Sequence, residues 1–227
     1  PRRTEVLTDA LGGIDIEDLI PDEEVVITLS RRGYMKRTSL ENYQQQKRGG
    51  KGIAALHTSD DDYVQEFLTT TNHQYLCLFT NKGRMHQLKV HQVPEGSRTA
   101  KGSHIVNLLQ LQEGEKVTLM LQQKAGVDED NTYATMVTKQ GLIKRTPLSQ
   151  FRNIRKMGLI AIALNEGDSL VWSHLTKGDD EIIVATHDGA AIRFTEDGAR
   201  SMGRTGHGVR VIKLREGDYV VGAGVCR

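Results

Sequence analysis

The chain has 227 residues, a formal net charge of +1 and 37% hydrophobic residues, which suits one medium domain or two small ones. With 23 Gly, 4 Pro and 5% aromatic residues, the composition favours a turn-rich β protein over a helical bundle. No apolar run approaches the roughly 20 residues of a membrane span and no signal peptide opens the chain, so we expect a cytoplasmic protein without membrane contact.

The near-zero net charge hides an asymmetry along the chain. Residues 1–24 contain eight acids and two bases, which leaves 28 bases and 21 acids, a charge of +7, for the remainder. Residues 1–22 are therefore interpreted as an acidic connector from an upstream segment, ending near Pro21. The basic remainder favours a polyanion partner. We hypothesise that the connector competes with that partner; the alternative is a simple tether.

Four strand–turn–strand units follow the connector, each with a glycine in its turn. The first strands of the units are predicted at residues 25–30, 75–80, 133–138 and 182–186, and the turn glycines are Gly33, Gly83, Gly141 and Gly189. Aliphatic and β-branched residues fill these strands, as expected of antiparallel hairpins.

Two further sequence features repeat at the same spacing as the hairpins. Four glycines each close a polar loop and open an apolar run predicted to be a strand: Gly52, Gly102, Gly158 and Gly208, before residues 53–57, 103–109, 159–164 and 209–214. Acidic turns follow at residues 60–62, 113–115, 166–168 and 216–218, each before another strand. Four short strands per unit predict an all-β array of propeller-like blades at about 23–71, 72–124, 131–176 and 180–227. An ordinary sandwich with coincidental spacing is the alternative.

Residues 31–52 in the first unit carry seven bases against one acid, a charge of +6. The glycines of this segment allow a close backbone approach to phosphates and expose N–H donors. Arg48 can bind a phosphate with two parallel hydrogen bonds, whereas Lys51 acts as a point charge. Weaker basic groups recur in the later units. The candidate DNA-binding residues are Arg31, Arg32, Lys36, Arg37, Gln46, Lys47, Arg48, Gly49, Gly50, Lys51, Gly52, Arg84, Arg98, Lys101, Lys144, Arg145, Arg155, Lys156, Arg193, Arg204 and Arg210.

Motifs for catalysis or cofactor binding are not evident. The sequence around Lys51 lacks the Ser or Thr of a phosphate-binding P-loop, and the acidic run at 128–130 lacks the glycine and final Glu of a calcium loop. The eight histidines show no paired metal spacing. Cys77 lies in an apolar run and is predicted to be a reduced, buried thiol. We expect no catalytic residue, metal or cofactor in this chain.

The segment 46–52 resembles the glutamine-arginine-glycine box in the C-terminal domain of the gyrase A protein, within the type IIA topoisomerase family. The preceding residues 33–38 and Tyr43 match the same blade of that family, and residues 1–5 and 14–20 resemble its join to a DNA-cleavage core. Lys47 stands where the family more commonly has arginine, which keeps the charge but loses the planar fork. Four units are visible where the family usually has six, which leaves ring closure and wrap length open.

The resemblance implies a β-pinwheel, a propeller variant with strands exchanged between blades, that wraps duplex DNA around its rim. It implies that the box is needed for wrapping and for negative supercoiling. The implied partners are duplex DNA, the upstream cleavage core of the same polypeptide, and the ATPase subunit of the DNA gyrase holoenzyme. The family's nucleophilic tyrosine belongs to the upstream core, and we expect the isolated domain to be monomeric.

Three other functions remain open from the sequence. The first is the equivalent domain of topoisomerase IV, in which the box is usually degraded. The second is a propeller-type protein-interaction scaffold whose basic rim is incidental. The third is an RNA-binding module that uses the triplet Arg48-Gly49-Gly50.

Overall fold

The computed structural model of the protein describes residues 15–44 and 62–226. The strands of this part are, in chain order, β1 (Glu24–Ser30), β2 (Tyr34–Ser39), β3 (Val64–Thr71), β4 (Tyr75–Thr80), β5 (Arg84–Lys89), β6 (Ser103–His104), β7 (Val117–Gln123), β8 (Tyr133–Thr138), β9 (Leu142–Pro147), β10 (Leu159–Ile160), β11 (Leu170–Thr176), β12 (Glu181–Thr186), β13 (Ala191–Thr195), β14 (Val209–Arg210) and β15 (Val220–Cys226). The helix α1 spans Leu40–Gln44, and 3-10 helices span Ile16–Leu19, Val90–Gln92, Ile105–Asn107, Leu148–Phe151 and Glu196–Gly198. None of the helices in the described ranges is long and apolar enough to cross a membrane.

The four hairpins predicted from the turn glycines are present as β1–β2, β4–β5, β8–β9 and β12–β13, all antiparallel. A hydroxyl residue ends the first strand and supports the turn that follows it. In the first hairpin, Ser30 Oγ accepts a hydrogen bond from the Tyr34 N–H at 3.1 Å, and Gly33 adopts a φ of 88° that most side chains avoid. Thr138 repeats the contact with the Leu142 N–H at 3.2 Å.

Each of the first three sheets takes its fourth strand from the next unit. The strand orders are β3-β1-β2-β6, β7-β4-β5-β10 and β11-β8-β9-β14, and a fourth sheet has the order β13-β12-β15 within the described residues. Thus β6 follows the second hairpin in sequence but pairs with β2 of the first, through Tyr34↔His104 and Met35↔Ser103. This exchange links successive sheets by backbone hydrogen bonds and is the strand pattern of a β-pinwheel.

The opposite edges of the sheets define an inside and an outside. Strands β3, β7, β11 and β15 form one edge of each sheet and contact one another in sequence, so they lie closest to the common axis. Strands β6, β10 and β14 form the other edge and therefore the outer rim. The core lies in three layers between neighbouring sheets. These layers are centred on Ile27 and Leu78, on Phe79 and Met136, and on Val137 and Val184.

The runs after Gly102, Gly158 and Gly208 are shorter as strands than the sequence predicts. Each pairs for only two residues, as β6, β10 and β14, and then turns inward. The Ile105 N–H bonds to the Gly33 carbonyl at 2.7 Å, and the Ile105 side chain is buried beneath the hairpin turn. The apolar residues of these runs therefore serve as core beneath the turns, which the hydrophobic pattern alone does not distinguish from a strand. The run predicted at 53–57 lies outside the described residues.

The acidic turns tie the inner strands to the hairpin turns. The Asp62 Oδ1 accepts hydrogen bonds from the Arg32 N–H at 3.0 Å and from the Tyr63 N–H at 2.9 Å. Asp168 and Asp218 make the same pair of contacts in the third and fourth units. The predicted acidic register is therefore a repeated backbone cap rather than a solvated charge cluster.

The described part of the acidic connector contacts the second unit. The Glu17 carboxylate pairs with the Lys89 ammonium at 3.0 Å, and Asp22 accepts a hydrogen bond from the His73 N–H at 2.9 Å. These two carboxylates are thus engaged at the end of β5 and the start of β4. The hypothesis that the connector competes with a polyanion partner for basic residues stays a prediction.

We predict that Gly102→Ala destabilises the fold more than Gly114→Ala. Both glycines have positive φ, of 89° and 71°, so both substitutions carry the same backbone strain. A Cβ at Gly102 would lie 2.5 Å from the Met35 carbonyl oxygen, whereas a Cβ at Gly114 meets nothing within 4 Å. Urea unfolding should show a loss larger by about 1–3 kcal/mol for Gly102→Ala. Equal losses would contradict the close packing of this loop on β2.

Candidate nucleic-acid interface

Three loops lead into the outer strands, and we call them the rim loops. The first spans residues 95–102, the second 152–158 and the third 200–208. They end at Gly102, Gly158 and Gly208, where β6, β10 and β14 begin to pair with the preceding sheet. The outer edges of three successive sheets are therefore each approached by one loop of the same kind.

The rim loops carry many of the predicted DNA-binding cations. Lys101, Arg155 and Lys156 are exposed on the first and second loops, and Arg210 is exposed on β14 directly after the third. Arg98 and Arg204 are half-buried on the first and third loops. These positively charged positions recur from sheet to sheet along the outer edge. The geometry thus places along one edge the cations of loops that are roughly fifty residues apart in sequence.

Two further arginines lie on the rim loops outside the set of candidate residues given above. Arg200 is exposed on the third rim loop beside Arg204 and was not among the candidates. Its position in the same loop is the signal that could have identified it. Arg152 on the second rim loop pairs with Glu129 at 2.6 Å and Asp130 at 3.2 Å, so its charge is locally neutralised.

The most basic predicted segment lies outside the described residues. It comprises Gln46, Lys47, Arg48, Gly49, Gly50, Lys51 and Gly52. In sequence, Arg48 stands four residues before Gly52, as Arg98 stands before Gly102 and Arg204 before Gly208. This shared spacing indicates that the segment corresponds in sequence to the first and third rim loops.

Arg31 and Arg32 lie on the turn between β1 and β2, away from the outer edge strands. Both are exposed, and the Arg31 guanidinium lies over the Tyr63 ring with its carbon 5.7 Å from the ring centroid. The Arg32 backbone is held by Asp62, as described above. The structure thus places these two predicted cations on the hairpin end of the first sheet rather than among the rim loops.

Lys36 was predicted to contact DNA, and the structure instead places its side chain inside the protein. The residue is 1% exposed. Its ammonium donates hydrogen bonds to three carbonyl oxygens of the first rim loop, those of Ser97 at 3.0 Å, Arg98 at 2.6 Å and Ala100 at 2.9 Å. Burial, together with the charge of Arg98, lowers the pKa of Lys36. The prediction of direct DNA contact is therefore wrong for this residue.

Lys144 occupies the equivalent place two units further along, between the third and fourth units, and requires the same correction. It is 0% exposed, and its ammonium donates to the carbonyl oxygens of Ala161 at 2.5 Å and Arg204 at 2.6 Å. Burial, and secondarily the charge of Arg204, lowers the pKa of Lys144 to about 8. The side chain is a link between sheets and does not reach the surface.

Arg37 and Arg145 also turn inward rather than toward a ligand. The Arg37 guanidinium donates to the Val93 carbonyl at 3.0 Å and to Asn72 Oδ1 at 2.9 Å. Arg145 is 6% exposed and donates to the Ala199 carbonyl at 2.7 Å. Both guanidinium groups are thus used to hold the polypeptide that leads into a rim loop.

Arg84 and Arg193 are engaged with protein groups as well. Arg84 donates to the carbonyl oxygens of Met157 and Gly158, and its Nε lies 3.6 Å from the buried Glu115 carboxylate. Arg193 on β13 is exposed and forms an ion pair with Glu181. Arg84 therefore belongs to the link between the second and third units, and Arg193 keeps an exposed but paired charge.

The position in the hairpin explains why the side chains of Lys36 and Lys144 are buried. Lys36 and Lys144 each lie three residues after a turn glycine, Gly33 or Gly141. The residue at the same register in the second unit is His86, which is also buried, with Nε2 3.8 Å from the Glu115 carboxylate. Alignment of the turn glycines is the sequence signal that could have identified a common buried position.

One cluster of possible metal ligands occurs in the described ranges. His187, Asp188 and Asp218 bring one ligand atom each within 4.8 Å of one another. His187 and Asp188 are exposed, and Asp218 already accepts hydrogen bonds from the N–H groups of Asp188 and Tyr219. The cluster is accounted for as the cap of the fourth hairpin turn.

Comparisons with known proteins identify the kind of fold to which this rim belongs. The family profile described as DNA gyrase C-terminal domain, beta-propeller, matches residues 24–71, 74–124, 133–177 and 180–227. The DNA gyrase A protein of Lawsonia intracellularis is 57% identical over 221 residues, covering 97% of this chain and 27% of that protein. The chain thus spans about a quarter of the length of this relative.

Two solved structures share the architecture. A DNA gyrase A C-terminal domain superposes with a TM-score of 0.74 at 27% identity, covering 89% of this chain and 65% of that one. The C-terminal domain of a DNA topoisomerase IV gives a TM-score of 0.71 at 31% identity, covering 92% of this chain and 62% of that one. The predicted all-β pinwheel is confirmed.

We predict that the contribution of Lys144 to stability depends on pH. Its pKa is lowered from 10.5 to about 8, so below pH 8 both the folded and unfolded chains carry the proton and the folded chain bears the full cost of burying the charge. Between about pH 8 and 10.5 the folded chain releases the proton first, and the cost is relieved. A neutral amine retains two N–H groups for the carbonyls of Ala161 and Arg204.

The measurement is the free energy of unfolding of the parent chain minus that of Lys144→Met, by urea titration across this pH range. The difference should rise with pH by up to about 1 kcal/mol per unit. Lys177→Met, at an exposed lysine, serves as the control for general alkaline effects. A flat or falling difference for Lys144→Met would contradict the burial of a charged ammonium.

Proposed function

Because the chain belongs to the family of the DNA gyrase C-terminal domain, we propose that it binds duplex DNA without sequence specificity and wraps it around its outer rim. The observation that carries the proposal is the recurrence of basic rim loops at the outer edges of three successive sheets. Lys101, Arg155, Lys156 and Arg210 are exposed along that edge. A curved row of cations fits a bent polyanion better than it fits a compact ligand.

Magnitudes favour an extended contact over a single site. By smooth elastic estimates, bending about 40 bp of DNA through half a turn costs roughly 10 kcal/mol. A single bidentate contact cannot offset that, whereas many phosphate contacts, each releasing counterions, can do so. The segment 46–52 adds three further cations in the same sequence register as the rim loops. We therefore assign the largest share of the wrapping contacts to this segment and the rim loops together.

Sequence-specific reading of DNA is not part of the proposal. The longest helix in the described ranges is α1, with five residues, which is too short to act as a recognition helix in the major groove. The exposed cations are suited to phosphate contacts, which position DNA without reading its sequence. Any preference should therefore follow the bendability of the DNA.

In the holoenzyme, we propose that the wrapped DNA is presented to the upstream cleavage core, so that strand passage driven by the ATPase subunit introduces negative supercoils. The domain itself then contributes no catalytic group. Five tyrosines of the described ranges fit a structural role, since each lies beneath a cationic side chain of the same chain: Tyr34, Tyr63, Tyr75, Tyr133 and Tyr219. The domain's contribution is thus the geometry of the bound duplex.

We predict that the chain changes the linking number of DNA. It is incubated with relaxed closed-circular DNA, a nicking-closing enzyme is added, and the topoisomers are separated after protein removal. A shifted distribution is expected because chiral wrapping stores writhe. Binding without a shift favours a topoisomerase IV-like or nonspecific mode, and absence of binding favours the interaction scaffold.

The triple variant Lys47→Ala, Arg48→Ala, Lys51→Ala should abolish the shift while the fold survives, as judged by circular dichroism. Its matched control removes three lysines elsewhere: Lys124→Ala, Lys139→Ala and Lys177→Ala, all exposed and outside the rim loops. An unchanged shift in the first variant would reject the role assigned to segment 46–52.

We predict that Arg155→Ala with Lys156→Ala weakens DNA binding by roughly an order of magnitude per lost contact at 0.1 M salt. The slope of log K against log salt concentration should become shallower by about 2, since two phosphate contacts are lost. The charge-matched control, Lys124→Ala with Lys177→Ala, removes lysines that follow the inner strands β7 and β11. Equal salt slopes in both double variants would contradict a contact along the outer rim.

A further inference from the structure

Two buried lysines hold two rim loops at equivalent points. The Lys36 ammonium lies 2.6 Å from the carbonyl oxygen of Arg98, and the Lys144 ammonium lies 2.6 Å from that of Arg204. In both pairs the lysine belongs to the second strand of one hairpin and the arginine to a loop of the next unit. The carbonyl that is held belongs to the cationic residue itself.

The surrounding geometry repeats in the same way. Lys36 and Lys144 stand three residues after a turn glycine, and Arg98 and Arg204 stand four residues before the glycine that closes the loop. A Cβ at Gly102 would lie 3.1 Å from the Lys36 Cβ, and one at Gly208 would lie 3.3 Å from the Lys144 Cβ. The closing glycines thus let the loop backbone lie directly on the lysine stem.

We propose that Lys36 and Lys144 are positioning residues for DNA wrapping, which fix the first and third rim loops so that their cations face the outer edge. This inference rests on the proposed function. Lys36 acts on Arg98 and Lys101, and Lys144 acts on Arg204. Neither lysine touches DNA.

The chemistry of the ammonium explains why lysine suits this position. It offers three N–H donors on a flexible apolar stem, so it satisfies several carbonyl oxygens that converge on one point. For Lys36 these are three carbonyls within four residues, which fixes the orientation of several peptide planes at once. An apolar side chain of similar length fills the same space but leaves those carbonyls without a donor, so the loop would rearrange to reach water.

The second rim loop provides an internal contrast. His86 occupies the lysine register there, and Arg84 instead donates to the carbonyls of Met157 and Gly158. The loop also contains Asn153 with a φ of 60°, the one non-glycine residue of the described ranges with a positive φ. The second rim loop is therefore held by a different side chain in a different conformation, and the proposal covers the first and third loops only.

Double-mutant cycles on DNA affinity test the proposal in the 227-residue chain. One cycle combines Lys36→Met with the pair Arg98→Ala and Lys101→Ala; a second combines Lys144→Met with Arg204→Ala. If each lysine acts through its loop, the combined variant binds no more weakly than the weaker of its two parents, because the cations are already misplaced. The crossed combinations, Lys36→Met with Arg204→Ala and Lys144→Met with Arg98→Ala and Lys101→Ala, should multiply their effects.

A merely structural role predicts a different result. If the lysines only support overall stability, the loss of DNA affinity caused by each Met variant multiplies with the losses caused by both sets of loop substitutions, and the proposal is overturned. Amide hydrogen exchange without DNA gives an independent readout of local opening: residues 98–102 should exchange about tenfold faster in Lys36→Met and be unchanged in Lys144→Met. Uniform acceleration throughout the chain also overturns the proposal.

Two controls keep the outcomes separable. If Lys36→Met does not fold, Lys36→Gln replaces it; its amide has two N–H groups and is one bond shorter, so it cannot serve all three carbonyls, and a smaller coupling of the same sign is expected. If the parent chain does not bind DNA, the proposed function fails, and the exchange experiment alone then decides whether the lysines fix the loops. If the parent chain binds DNA normally and the effects on affinity multiply in every cycle, the positioning role is rejected and the proposed function is left intact.

Discussion

The exchange of outer strands between successive units is the constraint on which the rest of the structure depends. Each of β6, β10 and β14 pairs for two residues with the hairpin of the preceding unit, so a unit completes its neighbour's sheet rather than its own. The loop that leads to this short strand must therefore run along the outer edge. Because the same connection repeats, the basic residues in these loops lie at a similar distance from the common axis of the sheets. No direct contact between the loops is needed to place them there.

The same constraint divides the cations into two groups with different tasks. Lysine and arginine side chains on the hairpin strands, such as Lys36 and Arg145, lie under the incoming loop and satisfy its carbonyl oxygens. Cations in the loops themselves, such as Lys101 and Lys156, are left exposed. Buried charge is costly unless it is well paired, so these inward contacts are best understood as specifying the loop conformation rather than as a source of net stability.

The hairpins could be predicted from the sequence, whereas the structure of the outer edge could not. Gly33 and its counterparts require positive φ, and the alternating apolar residues around them predict antiparallel strands locally. The run after Gly102 was predicted to be a long strand, because periodicity does not show that Ile105 turns under a distant hairpin. Lys36 was predicted to be exposed, because lysine is rarely buried and its carbonyl partners lie about sixty residues away in sequence. Contacts set by strand exchange, rather than by local propensity, account for both errors.

Chemical footprinting of lysines tests the central claim, that DNA follows the outer rim, most directly. The chain is acetylated with a lysine-reactive ester, alone and with saturating duplex of about 40 bp, the length used in the bending estimate, and modification is quantified by mass spectrometry. DNA should protect Lys101 and Lys156 on the rim loops and leave Lys124 and Lys177, which follow the inner strands, unchanged. Protection of Lys124 and Lys177 with continued labelling of Lys101 and Lys156 would contradict the account.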